Sequence, residues 1–332
     1  MQREDRTPRV RLAANTAYWD KARGPHLSEV VFRNDLSAEQ ALELVCTSEG
    51  EVDLLSEIRP ADAARVEGSE HARLVSVDAI RIMAGVINRD AEGLPLADQR
   101  ARLALNLAID RDAVVQEAMF GRASPLAGLT PPSAVTFLHR LSPYRHDPDR
   151  AAKLWHEAGG MTGRSLRVAA LGQCEQVAQQ VVADVERSLG IRAELIAVYG
   201  GEDELRVRRV LAEKKAQDWD VLVLEHGAQA ADGPPLELHR AFVGASGEFR
   251  AGPVLVEFEG LYEQFAREAS KIASANLSFR IDRFVHDEAL ALFLCAPQAL
   301  YAANRFLDFR PYRTTFELAG SRVSEQHWSR RQ

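Results

Sequence analysis

The chain has 332 residues, of which 46% are hydrophobic and 27% charged, with a net charge of −7 and a pI near 5.8. That length exceeds what one core usually fills, so two domains are expected, with the composition of an ordinary soluble globular protein. The acidic balance and the lack of a Lys/Arg block argue against a nucleic-acid partner, and no apolar run reaches the roughly 18 residues of a membrane span. The N-terminus, "MQREDRTPRVRLAAN", has no apolar stretch of the secretory kind, so the chain as it stands is expected in the cytoplasm. Cys46, Cys174 and Cys295 are far apart and read as buried reduced thiols.

In chain order, Val10–Ala13 and Leu27–Asp35 read as strands, the second rich in β-branched and aromatic residues. Ser37 with Gln40 three residues on is a capping-box start, Leu42 and Val45 give an apolar face, and Gly50 is the expected stop. Glu51–Ile58 reads as a short strand, and Pro60 opens a second helix. Residues Ala72–Asp90 read as two extended segments.

The stretch "RLALNLAIDRDAVVQEAMFGRASPLAGLTPP" predicts two helices joined at Asp110. Asp98 caps the first, and Leu103, Ala104, Leu107 and Ala108 recur at helical spacing. Asp110 caps the second, which Gly121 ends. Another helix starts at Asp147/Pro148 and stops at Gly159. Strand, helix, strand, helix and strand then alternate through Ser165–Leu171, Gln176–Gly190, "IRAELIAVY", "GEDELRVRRVLAEKKA" and Trp219–Gly227, which reads as a fully buried strand, apolar on both faces. Arg206, Arg208 and Arg209 read as a solvated helix face. Helical pattern continues through "SFRIDRFVHDEALALF" toward Phe293, and "LCAPQALYAAN" reads as a strand broken at Pro297. Alternating strands and helices with short connections make an α/β protein.

Chemistry-bearing motifs are sparse. The nine histidines include no HxH, HxxxH or HExxH, and His139 and His146 lack a third neighbour, so no metal site is expected. There is no GxSxG and no Gly-rich phosphate loop, so no enzyme activity and no cofactor are expected. "GASGEF" has the wrong context for a nucleophile.

Several stretches together resemble the family 5 extracellular solute-binding proteins, the peptide, dipeptide and nickel receptors of ABC importers. They are "RLAANTAYWDKARGPHLSEVVFR", "EGEVDLL", the helix pair with its Gly-x-Ala-x-Pro exit, "HDPDRAAKLWHEAGG", "DWDVLVLEHGAQAADGPPLEL" and "APQALYAANRFLDFRP". The likeness runs over roughly residues 8 to 315, and the helix pair with its exit is its most specific part. It implies a two-lobed, periplasmic-binding-protein-like (type II) fold lacking the family's usual N-terminal region. Residues 8–85 and 296–316 would form an incomplete first lobe, 86–295 the second, and 317–332 a polar tail. Family members carry a leader ahead of this region, so a periplasmic or extracellular location is expected if an upstream segment has been removed.

The resemblance also implies non-catalytic binding of a small amphipathic or peptide-like ligand in an interlobe cleft. Glu225, His226, Gln229 and Asp232 fall in the ligand-facing loop. Peptide-binding members place a carboxylate there for the ligand's amine; here that position falls near Gln229, with Glu225 or Asp232 as substitutes. Asp232-Gly233-Pro234 also reads as a plain turn. Met83 and Asn88 are the candidates from the opposite strand, and they also read as a core Met and a turn Asn. The alternative is an intracellular interaction module, complex subunit or ligand-sensing domain that kept the fold and lost transport. Its protein partner or second copy would sit on the incomplete first lobe.

Overall fold

A computed structural model describes residues 9–20, 22, 24–134, 141–160, 164–213, 218–229, 233–316 and 318–331. The chain divides into two units, Met1–Asp78 with Gln298–Gln332, and Ala79–Pro297. The divisions fall at 78/79 and 297/298, where the sequence suggested 85/86 and 295/296. The reason is that residues 81–87 and 291–297 are single uninterrupted strands of the second unit's sheet. Residues 318–331 group with the first unit.

The first unit opens with a two-stranded antiparallel ribbon, β1 (Arg9–Ala13) with β2 (Glu29–Arg33). Its register pairs Val10 with Phe32 and Leu12 with Val30, which puts four apolar side chains on one face. Val10, Leu12 and Phe32 remain exposed. Helix α1 (Ala38–Thr47) begins with the expected capping box: Ser37 Oγ accepts the Gln40 N–H and Gln40 Oε1 accepts the Ser37 N–H. After β3 (Leu54–Ser56), Pro60 starts a 3₁₀ turn that leads into α2 (Ala63–Glu67) and β4 (Ala72–Val77).

The chain then enters the second unit. In order it forms β5 (Arg81–Ile87), α3 (Gln99–Ala108), α4 (Arg111–Ala113) running into a π-helical turn at Val114–Ala118, and β6 (Ala123–Pro125). There follow α5 (Pro148–Glu157), β7 (Leu166–Leu171), α6 (Glu175–Leu189), β8 (Ala193–Tyr199) and α7 (Glu202–Ala212). The unit closes with β9 (Val221–Gly227), α8 (Leu236–Val243), α9 (Val256–Arg267), α10 (Lys271–Asp287) and β10 (Ala291–Pro297). Helix α8 had no counterpart in the sequence reading. The helical pattern expected up to Phe293 stops at Asp287, because Ala289 takes a left-handed φ of 46° and ends it. Beyond it, "ALFLCAP" is buried on both faces, so it is a central strand.

These strands form a six-stranded sheet in the order β6-β10-β5-β9-β7-β8. Side chains alternate between its faces. One face carries Met83, Val168 and Val223 under α3, α5 and α6. The other carries Ile82, Ala84, Leu222 and Leu224 under α7 to α10. Strands β7, β8 and β9 are parallel; β5 runs antiparallel to β9, and β10 antiparallel to β5. Back in the first unit, β11 (Ala299–Asn304) fills the space between β3 and β4, and Leu300 and Ala302 meet Leu42, Val45 and Val66 in that unit's core. The last strands, β12 (Leu307–Asp308) and β13 (Arg322–Val323), pair antiparallel.

Candidate functional site

The order β9-β7-β8 contains a reversal. From β7 the chain crosses through α6, on one face, to β8; from β8 it crosses through α7, on the other face, to β9. Open α/β sheets leave a crevice at the carboxyl ends of their strands at such a switch point. Here those ends are Leu171, Tyr199 and Gly227. The antiparallel register brings Arg81, the first residue of β5, opposite Gly227, and Cys295 opposite Met83. Both connections to the first unit, Asp78–Ala79 and Pro297–Gln298, therefore leave the sheet from this same end.

Four of the six residues singled out in the sequence lie toward this end. Glu225 and His226 are the fifth and sixth residues of β9 and point to opposite faces. Met83 pairs in register with Glu225 and is buried, so it offers a wall and not an open contact. Gln229 follows the strand with an exposed side chain, and its backbone N–H donates to Glu237 Oε1 at 3.3 Å. Asp232 lies outside the described residues, as does His139. Asn88 does not join this group. It follows the far end of β5, where Nδ2 donates to the Trp219 carbonyl at 3.3 Å and Oδ1 accepts the Asp90 N–H. Glu225 is in register with Met83, five residues before Asn88, so the two are separated by about 17 Å at 3.3 Å per residue, too far to share a small ligand.

Three residues not anticipated complete the site. Arg81 Nη1 donates to Glu225 Oε1 at 2.7 Å. Phe249 meets the His226 ring edge-on, with centroids 5.0 Å apart. Arg208 lies 5.4 Å over Phe249 and donates to Glu204 at 2.9 Å and Glu248 at 3.3 Å. Burial, with the nearby Arg208 charge, pushes the His226 pKa below its ordinary 6.5, against the opposing pull of Glu248 and Glu237. Beneath Glu225 lie two buried thiols. Burial and then the Glu225 carboxylate push Cys174 well up and Cys295 up to about 12, so both are protonated near neutrality. Among the described residues no group of three or more His, Cys, Asp or Glu comes together as a metal cage.

A separate pocket of about 480 Å³ lies in the first unit beside the ribbon, lined by Leu12, Tyr18, Pro25, Leu27, Val30 and Leu318 among others. Its polar lining includes Asn15, whose Oδ1 accepts the Ala17 N–H, and Glu29, which accepts from Arg11.

Residues 2–242 match the family described as bacterial extracellular solute-binding proteins, family 5 (middle region). The chain belongs to this family. Two curated relatives are a dipeptide-binding protein of Escherichia coli K12 and the glutathione-binding protein GsiB of Escherichia coli O1:K1. The first is 23% identical over 209 residues, 61% of this chain and 38% of its own length; the second is 27% identical over 201 residues, 60% and 38%. This family 5 chain thus matches well under half of each curated relative. Among solved structures, the oligopeptide-binding protein AppA of Bacillus subtilis, in complex with a nonapeptide, superposes with a TM-score of 0.76 at 15% identity, covering 97% of this chain and 65% of AppA. NikA of Brucella suis, in complex with Fe(III)-EDTA, gives 0.77 at 18% identity, covering 96% and 66%. The fold is that of family 5, and the chain covers about two thirds of these two solved structures. Members of the family bind solutes and do not transform them. Among the described residues no helix is long and apolar enough to cross a membrane.

Proposed function

We propose that this chain binds a small peptide-like or amide ligand, without covalent chemistry, at the carboxyl ends of β7 and β9, as the receptor of an importer outside the cytoplasmic membrane. The observation that carries this reading is the Arg81–Glu225 pair standing at the sheet end from which the loop holding Gln229 departs, with the His226–Phe249 wall at the same end on the other face. Polar groups of both signs stand on an apolar floor of Met83, Cys174 and Cys295, which suits a ligand with polar backbone and apolar side chains. Asp232, three residues after Gln229 in the sequence, is proposed as a second carboxylate for the ligand.

Titration calorimetry with a panel of di- and tripeptides and their amides tests the reading. Binding with a Kd of about 1 mM or tighter is expected for some member; a panel without one binder sinks it.

A protein contact on the first unit is a second reading, favoured by the exposed Val10, Leu12 and Phe32 on the ribbon's apolar face. Size exclusion with light scattering decides it, since a monomer across micromolar to millimolar concentration excludes a second copy as the occupant.

A further inference from the structure

At the carboxyl end of β9, the charge expected to receive a ligand amine is already matched. Glu225 Oε1 accepts from Arg81 Nη1 at 2.7 Å, between side chains only 34% and 23% exposed. The two residues are diagonal neighbours across the β5–β9 ladder and point to the same face, because Met83 is opposite Glu225 and Arg81 is opposite Gly227. An incoming ammonium would have to displace a guanidinium from this carboxylate.

The guanidinium is different. It carries five N–H donors, and Glu225 is its one partner among the described residues. No Arg81 nitrogen is among the buried unpaired atoms of the described residues, so the remaining donors stay open to an incoming group, and a carboxylate or carbonyl oxygen is what a planar fork of N–H groups takes. The floor beneath, Met83 with Cys174 and Cys295, is apolar and dry, which strengthens any charge-assisted hydrogen bond made above it.

We infer that Arg81 is the specificity-determining group of this site and reads a carboxylate or carbonyl oxygen of the ligand, while Glu225 is a positioning residue that holds Arg81 in place. The inference rests on the ligand-site reading above and reverses the polarity first expected of it. The favoured ligands carry a free acid and tolerate a blocked amine.

The test takes the tightest-binding dipeptide of the calorimetric panel in three forms: free, N-acetylated and C-amidated. Amidation is expected to weaken binding on the order of 10- to 100-fold, the worth of a charge-assisted hydrogen bond, and acetylation by less than about threefold. In Arg81→Gln the acid and amide bind alike. Arg81→Lys restores part of the preference, through charge without the fork. Glu225→Gln narrows the acid/amide ratio without erasing it, which a residue serving only stability would not do. Thermal unfolding of each variant checks that the fold is retained.

If acetylation is the costly change and Glu225→Gln removes that cost, Glu225 is the amine receptor and the inference is overturned while the binding function stands. An unchanged acid/amide ratio in Arg81→Gln overturns it equally. If no member of the panel binds, the site reading fails and takes the inference with it.

Discussion

The buried carboxylate of Asp184, on α6, accepts the backbone N–H of Asp110 at 3.0 Å. Asp110 joins α3 to α4, and its own side chain accepts the N–H groups of Asp112 and Ala113. The sharp turn between the two helices is therefore closed from both sides: the side chain caps forward, and the backbone donor is taken by another helix. Gln180 and Arg187 donate to the other Asp184 oxygen, both at 3.0 Å. Asp184→Ala would leave a part-buried N–H unpaired as well as a void. A loss of about 2–3 kcal/mol in urea unfolding is expected, with Asp184→Asn costing less because an amide oxygen can still accept. Equal losses in the two variants would mean that Asp110 does not depend on this bond.

The exit loop after the π-helical turn is held by a second buried carboxylate. Asp282 Oδ1 on α10 accepts the Leu129 N–H at 3.2 Å and lies 2.8 Å from His239 Nε2 on α8. Gly128 passes so close that an added Cβ would come within 2.5 Å of that same oxygen. Asp282 cannot yield without releasing both partners. Gly128→Ala is expected to cost about 2–4 kcal/mol by overpacking and loss of the His239 contact. Gly159 is the contrast: it has φ +82° but open space around it, so Gly159→Ala should cost about 1 kcal/mol. Denaturant midpoints of the two variants in the reverse order would refute this account.

These features show which parts of the molecule could be read from the sequence. Signals confined to a few neighbouring residues survive folding: the Ser37–Gln40 box and the Asp98 and Asp110 caps. Long-range register is another matter. "RIMAGVIN" reads as a strand, but nothing in it says which end faces a ligand, so the sequence alone groups Asn88 with Glu225, whose register partner is five residues away. Arg81 carries no signal in the sequence for the same reason. A lone Arg before an apolar run looks solvated, and its partner is 144 residues distant. The run after α10 lacks both the helical and the alternating period, because a central strand is apolar on both faces.

His226 gives the molecule a pH signature. Burial depresses its pKa below 6.5 in the folded chain, whereas the unfolded chain titrates near 6.5. The contribution of neutral His226 to stability is thus fully present above 6.5. As pH falls below 6.5 the unfolded chain takes up its proton first, stability declines, and the loss levels off once pH is below the folded value. An NMR titration of the His226 ring should give a midpoint under 6.5, and His226→Asn should flatten this part of the stability profile. A midpoint at or above 6.5 would contradict the burial seen here.

The C-terminal residues look like a polar tail in the sequence, yet they close the first unit. Asp53 Oδ1 receives three donors: Asn304 Nδ2 at 3.2 Å, His327 Nε2 at 3.1 Å and Trp328 Nε1 at 2.9 Å. His327 is buried, its Nδ1 lies 2.8 Å from Ser329 Oγ, and the Trp328 ring covers Gly50. Asp53 also stands directly before β3, so the same carboxylate ties the end of the chain to the small β3-β11-β4 sheet. Asp53→Ala leaves a buried imidazole N–H without an acceptor and should destabilise the first unit by about 1–3 kcal/mol. The effect should be local, because these contacts all lie within the first unit. Hydrogen exchange should speed up at β11 and β3 in the variant while protection at β5 and β9 stays as in the native chain. Unchanged exchange at β11, or an equal rise in both units, would show that the segment is an ornament and not a clasp.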